Sequence, residues 1–178
     1  MAGDHVFWIT TRAAGVVLLL ASSAAVAAGL AVGSRAGRGR TAQLRVLHES
    51  LSLAAMAALV VHAGALLLDG YLESSLADVT IPFAGAYEPV WTSLGIVAGW
   101  TMLVLGLSYY ARGRIGPARW RRLHRWVAVA WILGVIHGLF EGTDGGAGWF
   151  LITVAAATLP PLAMLAARHA RAPGQVTA

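Results

Sequence analysis

The sequence predicts an all-α membrane protein, a bundle of five transmembrane helices. Of its 178 residues, 58% are hydrophobic and only 12% are charged, and the mean hydropathy is +0.69. A soluble domain of this size needs far more polar surface. The charged residues fall almost entirely between long apolar runs. The absence of cysteine excludes disulfides, thiolate metal sites and thiol catalysis.

Five apolar runs are long enough to be membrane spans, since a spanning helix needs about 20 residues. They lie at roughly 13–33, 49–68, 90–111, 123–140 and 148–167. The first run ends in small residues, as a signal peptide does, but its positive cluster follows it instead of preceding it, so we predict a span. We expect one domain over 1–171 and a disordered tail over 172–178.

The charges of the connections predict the orientation. All 13 basic residues are arginine, and all except Arg12 follow spans one, three or five. The connections after spans two and four carry acids instead. By the positive-inside rule, the N-terminus lies outside and the C-terminus in the cytoplasm. This pattern explains the net charge of +5 without a nucleic-acid partner, and we expect a multi-pass protein of a bacterial inner membrane.

Four histidines lie in two of the spans: His48 and His62 in the second, His124 and His137 in the fourth. Ionisable groups inside a membrane are costly and are functional by default. The two in span two are about 21 Å apart along a helix, too far to share one metal ion. Spans two and four run in the same direction, which pairs His48 with His124 and His62 with His137. Two imidazoles from two helices suit a bis-His heme at each level.

The spacing in span four conflicts with a regular helix. At about 100° per residue, 14 residues return to within about 40° of the same face, but 13 residues miss it by about 140°. We therefore expect an irregularity between His124 and His137, such as a π-bulge. The alternative is that the two imidazoles reach their cofactors from different sides.

Partners for heme propionates are less clearly marked. Arg45 and Arg125 lie near the cytoplasmic pair and could form charge-assisted bonds, or could serve topology alone. No arginine is evident near the outer pair, whose propionates would face water or the loop around Tyr71 and Tyr87. We interpret that loop, Asp69 to Pro89, either as a lid on the outer membrane surface or as an interfacial loop with aromatic anchors.

Three stretches resemble a known family: HESLSLAAMAALVVHAGALLLDGY, IPFAGAYEPVWTSLGIVAGW and RWRRLHRWVAVAWILGVIHGLFEGTD. Together with the spacings of 14 and 13, they resemble the ferric-reductase-like transmembrane domain of ferric reductases, NADPH oxidases and the bacterial heme subunit of methionine sulfoxide reductase. The resemblance covers about residues 12–165. It is nearest to the stand-alone bacterial form, which has Gly142, Thr143 and Asp144 after the second pair.

The resemblance implies two b-type hemes that conduct electrons across the membrane. His48 and His124 would bind the inner heme iron, and His62 and His137 the outer. No Gly-rich dinucleotide fingerprint is present, and the chain ends about ten residues after span five. We therefore expect the heme subunit of an oxidoreductase, with a separate flavoprotein, a quinol or a partner subunit as donor and flavin only through that partner.

The acceptor and the oligomeric state stay open. Ferric iron, oxygen and a periplasmic redox partner are the candidate acceptors. Asp69, Glu141 and Asp144 could attract Fe³⁺ because hard cations prefer oxygen ligands, or they could be ordinary loop acids. The alternative functions are a non-catalytic heme-binding sensor or assembly subunit, and a quinol-linked cytochrome b.

Overall fold

The computed structural model describes residues 4–34, 38–70 and 72–170. The side chains of Asp4 and His169, the residues Arg35, Tyr71 and Arg171, and the predicted tail 172–178 lie outside the described part. Within it, the regular elements are all helical. They are α1 (Asp4–Val32), α2 (Thr41–Leu67), α3 (Leu76–Thr80), α4 (Pro89–Leu107), a 3₁₀ segment (Ser108–Ala111), α5 (Arg112–Ile115), α6 (Pro117–His124), α7 (Val127–Phe140) and α8 (Gly148–Ala170).

The prediction of five membrane spans is confirmed. In the described ranges, five helices are long and apolar enough to cross a bilayer. They are His5–Val32, Thr41–Leu67, Pro89–Ile115, Pro117–Phe140 and Gly148–Arg168. These helices begin earlier than four of the five apolar runs, because a helix continues past the hydrocarbon core into polar residues.

The helices form two packed pairs that face each other. α1 packs along the length of α2, and α4 packs along α7, whereas α2 and α4 touch only sparsely. α8 packs against α1. Small residues allow close approach of membrane helices, and the buried positions of α1 and α2 include Ala14, Ala21, Ala25, Ala28, Ala55 and Ala65. The loose contact between the pairs leaves space in the middle of the bundle.

Charges separate between the two ends of the bundle. A Cβ added to Gly33, just after α1, would lie 3.9 Å from the Arg168 guanidinium, which places the ends of α1 and α8 side by side. At the opposite end, Arg12 forms an ion pair with Asp144. The Tyr110 hydroxyl, in the connection after span three, contacts Glu49 near the start of α2, so the three arginine-bearing connections share one end, as the charge pattern predicts. The sidedness of that end stays a prediction.

The predicted irregularity of span four is confirmed, although it is not a π-bulge. Helix α6 ends at His124, and α7 begins at Val127. Around this junction the backbone bonds are of the i→i−3 type: Trp126 N to Leu123 O (3.0 Å), Ala128 N to Arg125 O (3.2 Å) and Val129 N to Trp126 O (3.0 Å). A 3₁₀ turn advances about 120° per residue, compared with about 100° in an α-helix. The extra rotation brings His137 closer to the helix face of His124, whereas a π-bulge would unwind the helix.

The loop between α2 and α4 lies along the side of α4. A capping box joins Ser75 and Asp78 at the start of α3, and the hydrogen bond from the Ser75 backbone N–H lowers the pKa of the Asp78 carboxyl. Trp100 donates its indole N–H to the Thr80 carbonyl at 2.9 Å. Because Trp100 is about 16 Å along α4 from Pro89, this bond shows how far the loop extends beside that helix. Phe83 is 69% exposed. These contacts favour an interfacial loop over a lid.

One buried hydrogen bond joins the two halves of the bundle. Trp131 in α7 donates its indole N–H to the Ser23 hydroxyl in α1 at 3.0 Å. The two residues are 2% and 1% exposed. A buried donor without an acceptor costs free energy, so this bond fixes the register of α7 against α1.

We expect Ser23→Ala to lower the free energy of unfolding by about 1–3 kcal/mol, because it leaves the buried Trp131 N–H without its acceptor. Thermal denaturation in detergent, followed by circular dichroism, measures this loss. Ser22→Ala is the matched control, since the Ser22 hydroxyl donates only to the Leu19 carbonyl of its own helix. Equal losses in the two variants would contradict the role given to the bond.

Candidate functional site

The four span histidines meet as the two predicted pairs. The ring centroids of His48 and His124 are 6.0 Å apart, with ring planes at 89°. Those of His62 and His137 are 6.2 Å apart, with planes at 88°. The two pairs therefore have nearly the same geometry at two depths, about 20 Å apart along the helices.

Hydrogen bonds to α1 orient the two histidines of α2. The Nδ1 of His48 lies 2.8 Å from the Ala25 carbonyl oxygen, and the Nδ1 of His62 lies 2.8 Å from that of Thr11. A carbonyl oxygen only accepts, so each Nδ1 carries the hydrogen and each neutral ring keeps its lone pair on Nε2. Nε2 is then the atom that is free to bind a metal.

The other two histidines are held in the same way by the helix of the third span. The Nδ1 of His137 donates to the Trp91 carbonyl at 3.0 Å, and that of His124 to the Leu105 carbonyl at 3.4 Å. All four rings therefore have the same tautomer. Each pair presents two Nε2 lone pairs from opposite helix pairs.

Glycines make three of these four bonds possible. A helical side chain covers the turn that precedes it, so a side chain four residues after a carbonyl shields that carbonyl. Gly29, Gly15 and Gly95 stand four residues after Ala25, Thr11 and Trp91. A Cβ at these glycines would lie 3.1, 3.2 and 2.6 Å from the rings of His48, His62 and His137, respectively.

Sequence reasoning missed these glycines, although a signal was present. Gly15 and Gly29 repeat in α1 the 14-residue spacing of His48 and His62 in α2. A matched spacing on the preceding span indicates that the two helices pack antiparallel with each histidine on a glycine.

His124 is the exception and is held by an aromatic ring. The position four residues after Leu105 is Tyr109, in the 3₁₀ segment, and the bond to the Leu105 carbonyl is the longest of the four. The ring of His124 stacks on Trp120, with centroids 4.8 Å apart and planes at 26°. Trp120 in turn donates to the Ser108 hydroxyl at 3.1 Å.

An apolar cavity adjoins the pair of His48 and His124. The space between these residues that no atom fills is about 420 Å³, part of it open to the surroundings. Its other lining residues are Ser22, Ala25, Val26, Ser52, Ala55, Met56, Met102, Gly106, Val127 and Trp131. Trp131 lies seven residues after His124 and six before His137, between the two levels.

The histidine pairs fit the axial ligands of a macrocyclic metal cofactor. With a metal–nitrogen bond of about 2.1 Å and about 1.1 Å from nitrogen to ring centroid, two imidazoles on opposite sides of one ion have centroids about 6.4 Å apart. The observed separations are close to this value. Among residues 4–34, 38–70 and 72–170, no group of three or more potential ligands could hold a metal ion. A metal ion held by one such pair would therefore take its remaining ligands from a group other than these side chains.

The predicted inner propionate partners are exposed. Arg45 and Arg125 lie three residues and one residue from His48 and His124, and neither side chain forms an ion pair within the described ranges. They remain candidates for the inner level.

An arginine does lie near the outer pair, contrary to our expectation. Arg12 follows Thr11, whose carbonyl accepts from His62. Its guanidinium donates to Asp144, with Nε 2.9 Å from Oδ2, and stacks over Trp8 at 4.2 Å. The sequence did not indicate this position, because an arginine before an apolar run is also expected as the polar flank of a membrane span.

The three acids expected near the outer exit form an ion pair or hydrogen bonds with other residues of the protein. Asp144 pairs with Arg12. The Glu141 carboxylate lies 2.6 Å from the Thr92 hydroxyl, and buried Asp69 accepts from the Leu72 backbone N–H at 3.1 Å. These contacts favour structural roles over an open cation site.

Comparison with known families shows to which family the chain belongs. The model of the ferric reductase like transmembrane component matches residues 12–135. The chain belongs to that family. The match includes three of the span histidines and ends two residues before His137. No curated protein and no solved structure matches the chain.

Ferric-reductase-like transmembrane domains generally bind heme, and the family indicates electron transfer across a membrane that depends on redox partners. The five apolar helices place the chain in a lipid bilayer as a multi-pass protein. The match begins at Arg12, so it includes Ala25 and the glycines Gly15 and Gly29 of α1 and starts one residue after Thr11, whose carbonyl accepts from His62.

We expect Gly95→Ala to displace the His137 ring, because the new Cβ would lie 2.6 Å from it. The measurement is the heme content of the purified protein, read from its visible spectrum, and we expect it to fall. Gly138→Ala is the control, since it makes the same change beside His137 with no atom within 4 Å. Unchanged heme content in Gly95→Ala would contradict the packing argument.

Proposed function

We propose that the chain is a transmembrane electron-transfer protein with two bis-His b-type hemes, the heme subunit of an oxidoreductase. The observation that carries this proposal is the shared geometry of the four histidines. Each Nδ1 is bound to a helix carbonyl, which leaves Nε2 free, and the rings form two pairs at a separation that accommodates one metal ion. Family membership supports heme as the cofactor.

In this proposal, His48 and His124 hold the inner heme and His62 and His137 the outer one. Bound heme iron supplies one-electron redox chemistry. The chain's residues fix the imidazoles, exclude water from the interior and keep the two sites about 20 Å apart along the helices. Trp131 fills the region between the sites and is held there by Ser23.

Charged side chains at the two ends provide partners for propionates. We assign Arg45 and Arg125 to the inner level, where they are exposed next to the histidines. The outer propionates would face water or the loop around Tyr87, and Arg12 is the cation that lies near the outer pair. Direct charge-assisted bonds from arginine to carboxylates are strong and directional, so these contacts also favour one orientation of the cofactor.

The proposed direction is from the cytoplasm outward. The arginine-rich end is cytoplasmic by the positive-inside rule, and electrons enter there from a flavoprotein or a quinol. They leave at the outer pair to ferric iron, oxygen or a periplasmic redox partner. The engagement of Asp69, Glu141 and Asp144 within the protein does not favour a built-in iron site, so the acceptor would meet the outer site at the surface.

We expect the reduced-minus-oxidised spectrum of the purified protein to show low-spin b-type bands. His62→Ala or His137→Ala removes one center and leaves the other, because the two pairs share no ligand. Heme quantification with redox titration of the bands measures this, and His5→Ala, at the exposed start of α1, is the control. Loss of both centers or of neither in the single variants would refute the pairing.

Electron transfer itself is tested in sealed vesicles with one orientation. We expect a reductant confined to the arginine-rich side to reduce an impermeant ferric chelate on the opposite side, and we expect His48→Ala to abolish that flux. Bound hemes without any flux in the wild type would favour the sensor or assembly function instead.

A further inference from the structure

His137 differs from the other three span histidines in the surroundings of its Nδ1. Each of the others has a backbone carbonyl as the acceptor of its Nδ1–H. The Nδ1 of His137 has the Trp91 carbonyl at 3.0 Å and also the Oε2 atom of Glu141 at 2.8 Å. The N–H is directed at the carbonyl, and the carboxylate lies against the same edge of the ring.

The Glu141 carboxylate is fixed in this position by the fold. Glu141 caps the end of α7, one helical turn after His137, and its side chain is 17% exposed. Its Oε1 lies 2.6 Å from the Thr92 hydroxyl of α4, the residue next to Trp91. The carboxylate therefore bridges the two helices that position the outer histidine.

Among the residues that the structure describes, the inner pair has no equivalent group. Glu49 follows His48 directly but is exposed. Its carboxylate accepts a long 3.4 Å hydrogen bond from the Tyr110 hydroxyl, and the Nδ1 of His48 has the Ala25 carbonyl as its acceptor. The two levels therefore match in ligand geometry but differ in the charge beside one ligand.

We propose that Glu141 is a positioning residue that lowers the reduction potential of the outer center through His137. This inference rests on the proposed function. A carboxylate beside the distal nitrogen of a metal-bound imidazole raises the basicity of the ligating nitrogen. Its negative charge also stabilises the oxidised, more positive state of the center, and does so strongly where the surroundings are apolar. Both effects make the outer center the stronger electron donor to an acceptor.

Equilibrium redox titration of the purified protein with both centers loaded tests this proposal. Glu141→Gln keeps the shape of the side chain and removes its charge. We expect the potential of the outer center to rise while that of the inner center is unchanged. Glu49→Gln is the matched control, because it removes a carboxylate next to the inner histidine that does not contact its ring, and we expect it to shift neither potential.

A second variant separates charge from packing. Glu141→Asp keeps the charge, and we expect its outer potential to lie between those of the wild type and Glu141→Gln. An equal rise in both variants would indicate a steric effect and overturn the proposal. Loss of the outer center in Glu141→Gln would also overturn it, because the residue would then act in cofactor retention.

Failure of this inference is distinguishable from failure of the proposed function. A wild-type protein without two titrating b-type centers refutes the two-heme function. Two titrating centers, assigned through His62→Ala and His48→Ala, with an unshifted outer potential in Glu141→Gln refute the role of Glu141 alone.

Discussion

The hydrogen bond from a histidine Nδ1 to the carbonyl of a neighbouring helix is the interaction on which the arrangement of this bundle depends. In lipid an unpaired ring N–H is costly, and each helix carbonyl already accepts one bond from within its own helix. Sharing that carbonyl satisfies the ring and fixes its direction at the same time. The ring's other nitrogen is then left without a protein partner, toward the middle of the bundle.

This requirement sets the spacing of the helices. A ring approaches a carbonyl most closely where no side chain covers it, and glycines follow at the fourth position in three of the four cases; the fourth bond, beside Tyr109, is the longest. The glycines bring α1 close to α2 and α4 close to α7, and each pair packs tightly as a result. The space that remains lies between the pairs, where the free nitrogens point from both sides.

Much of this arrangement was predictable from the sequence. The five spans follow from the length of the apolar runs, and the histidine pairs follow from the parallel direction of spans two and four, which the number of spans between them fixes. The mismatch of 13 residues with helical geometry predicted a distortion between His124 and His137. Its type was not predictable, since overwinding and a π-bulge both reorient a helix and only the backbone bonds of Trp126 and Val129 distinguish them.

What the sequence could not supply was contact between distant segments. Arg12 reads as the flank of a span, and its position near His62 depends on how α1 packs against α2 and on Asp144, 132 residues later. Glu141 reads as one more loop acid, because its proximity to His137 depends on where α7 ends. Both residues acquire their roles from tertiary packing, which a composition or periodicity argument does not contain.

The pairing of each histidine helix with a carbonyl-bearing helix has a consequence for the unit of this fold. α1 with α2 carries two complete half-sites, one at each depth, and α4 with α6 and α7 carries the two complementary ones. Neither histidine helix is sufficient by itself, because its rings take their tautomer from the neighbour. The structural unit is therefore a two-helix hairpin, and a cofactor bound between two such hairpins would hold the halves of the protein together as well as carry charge.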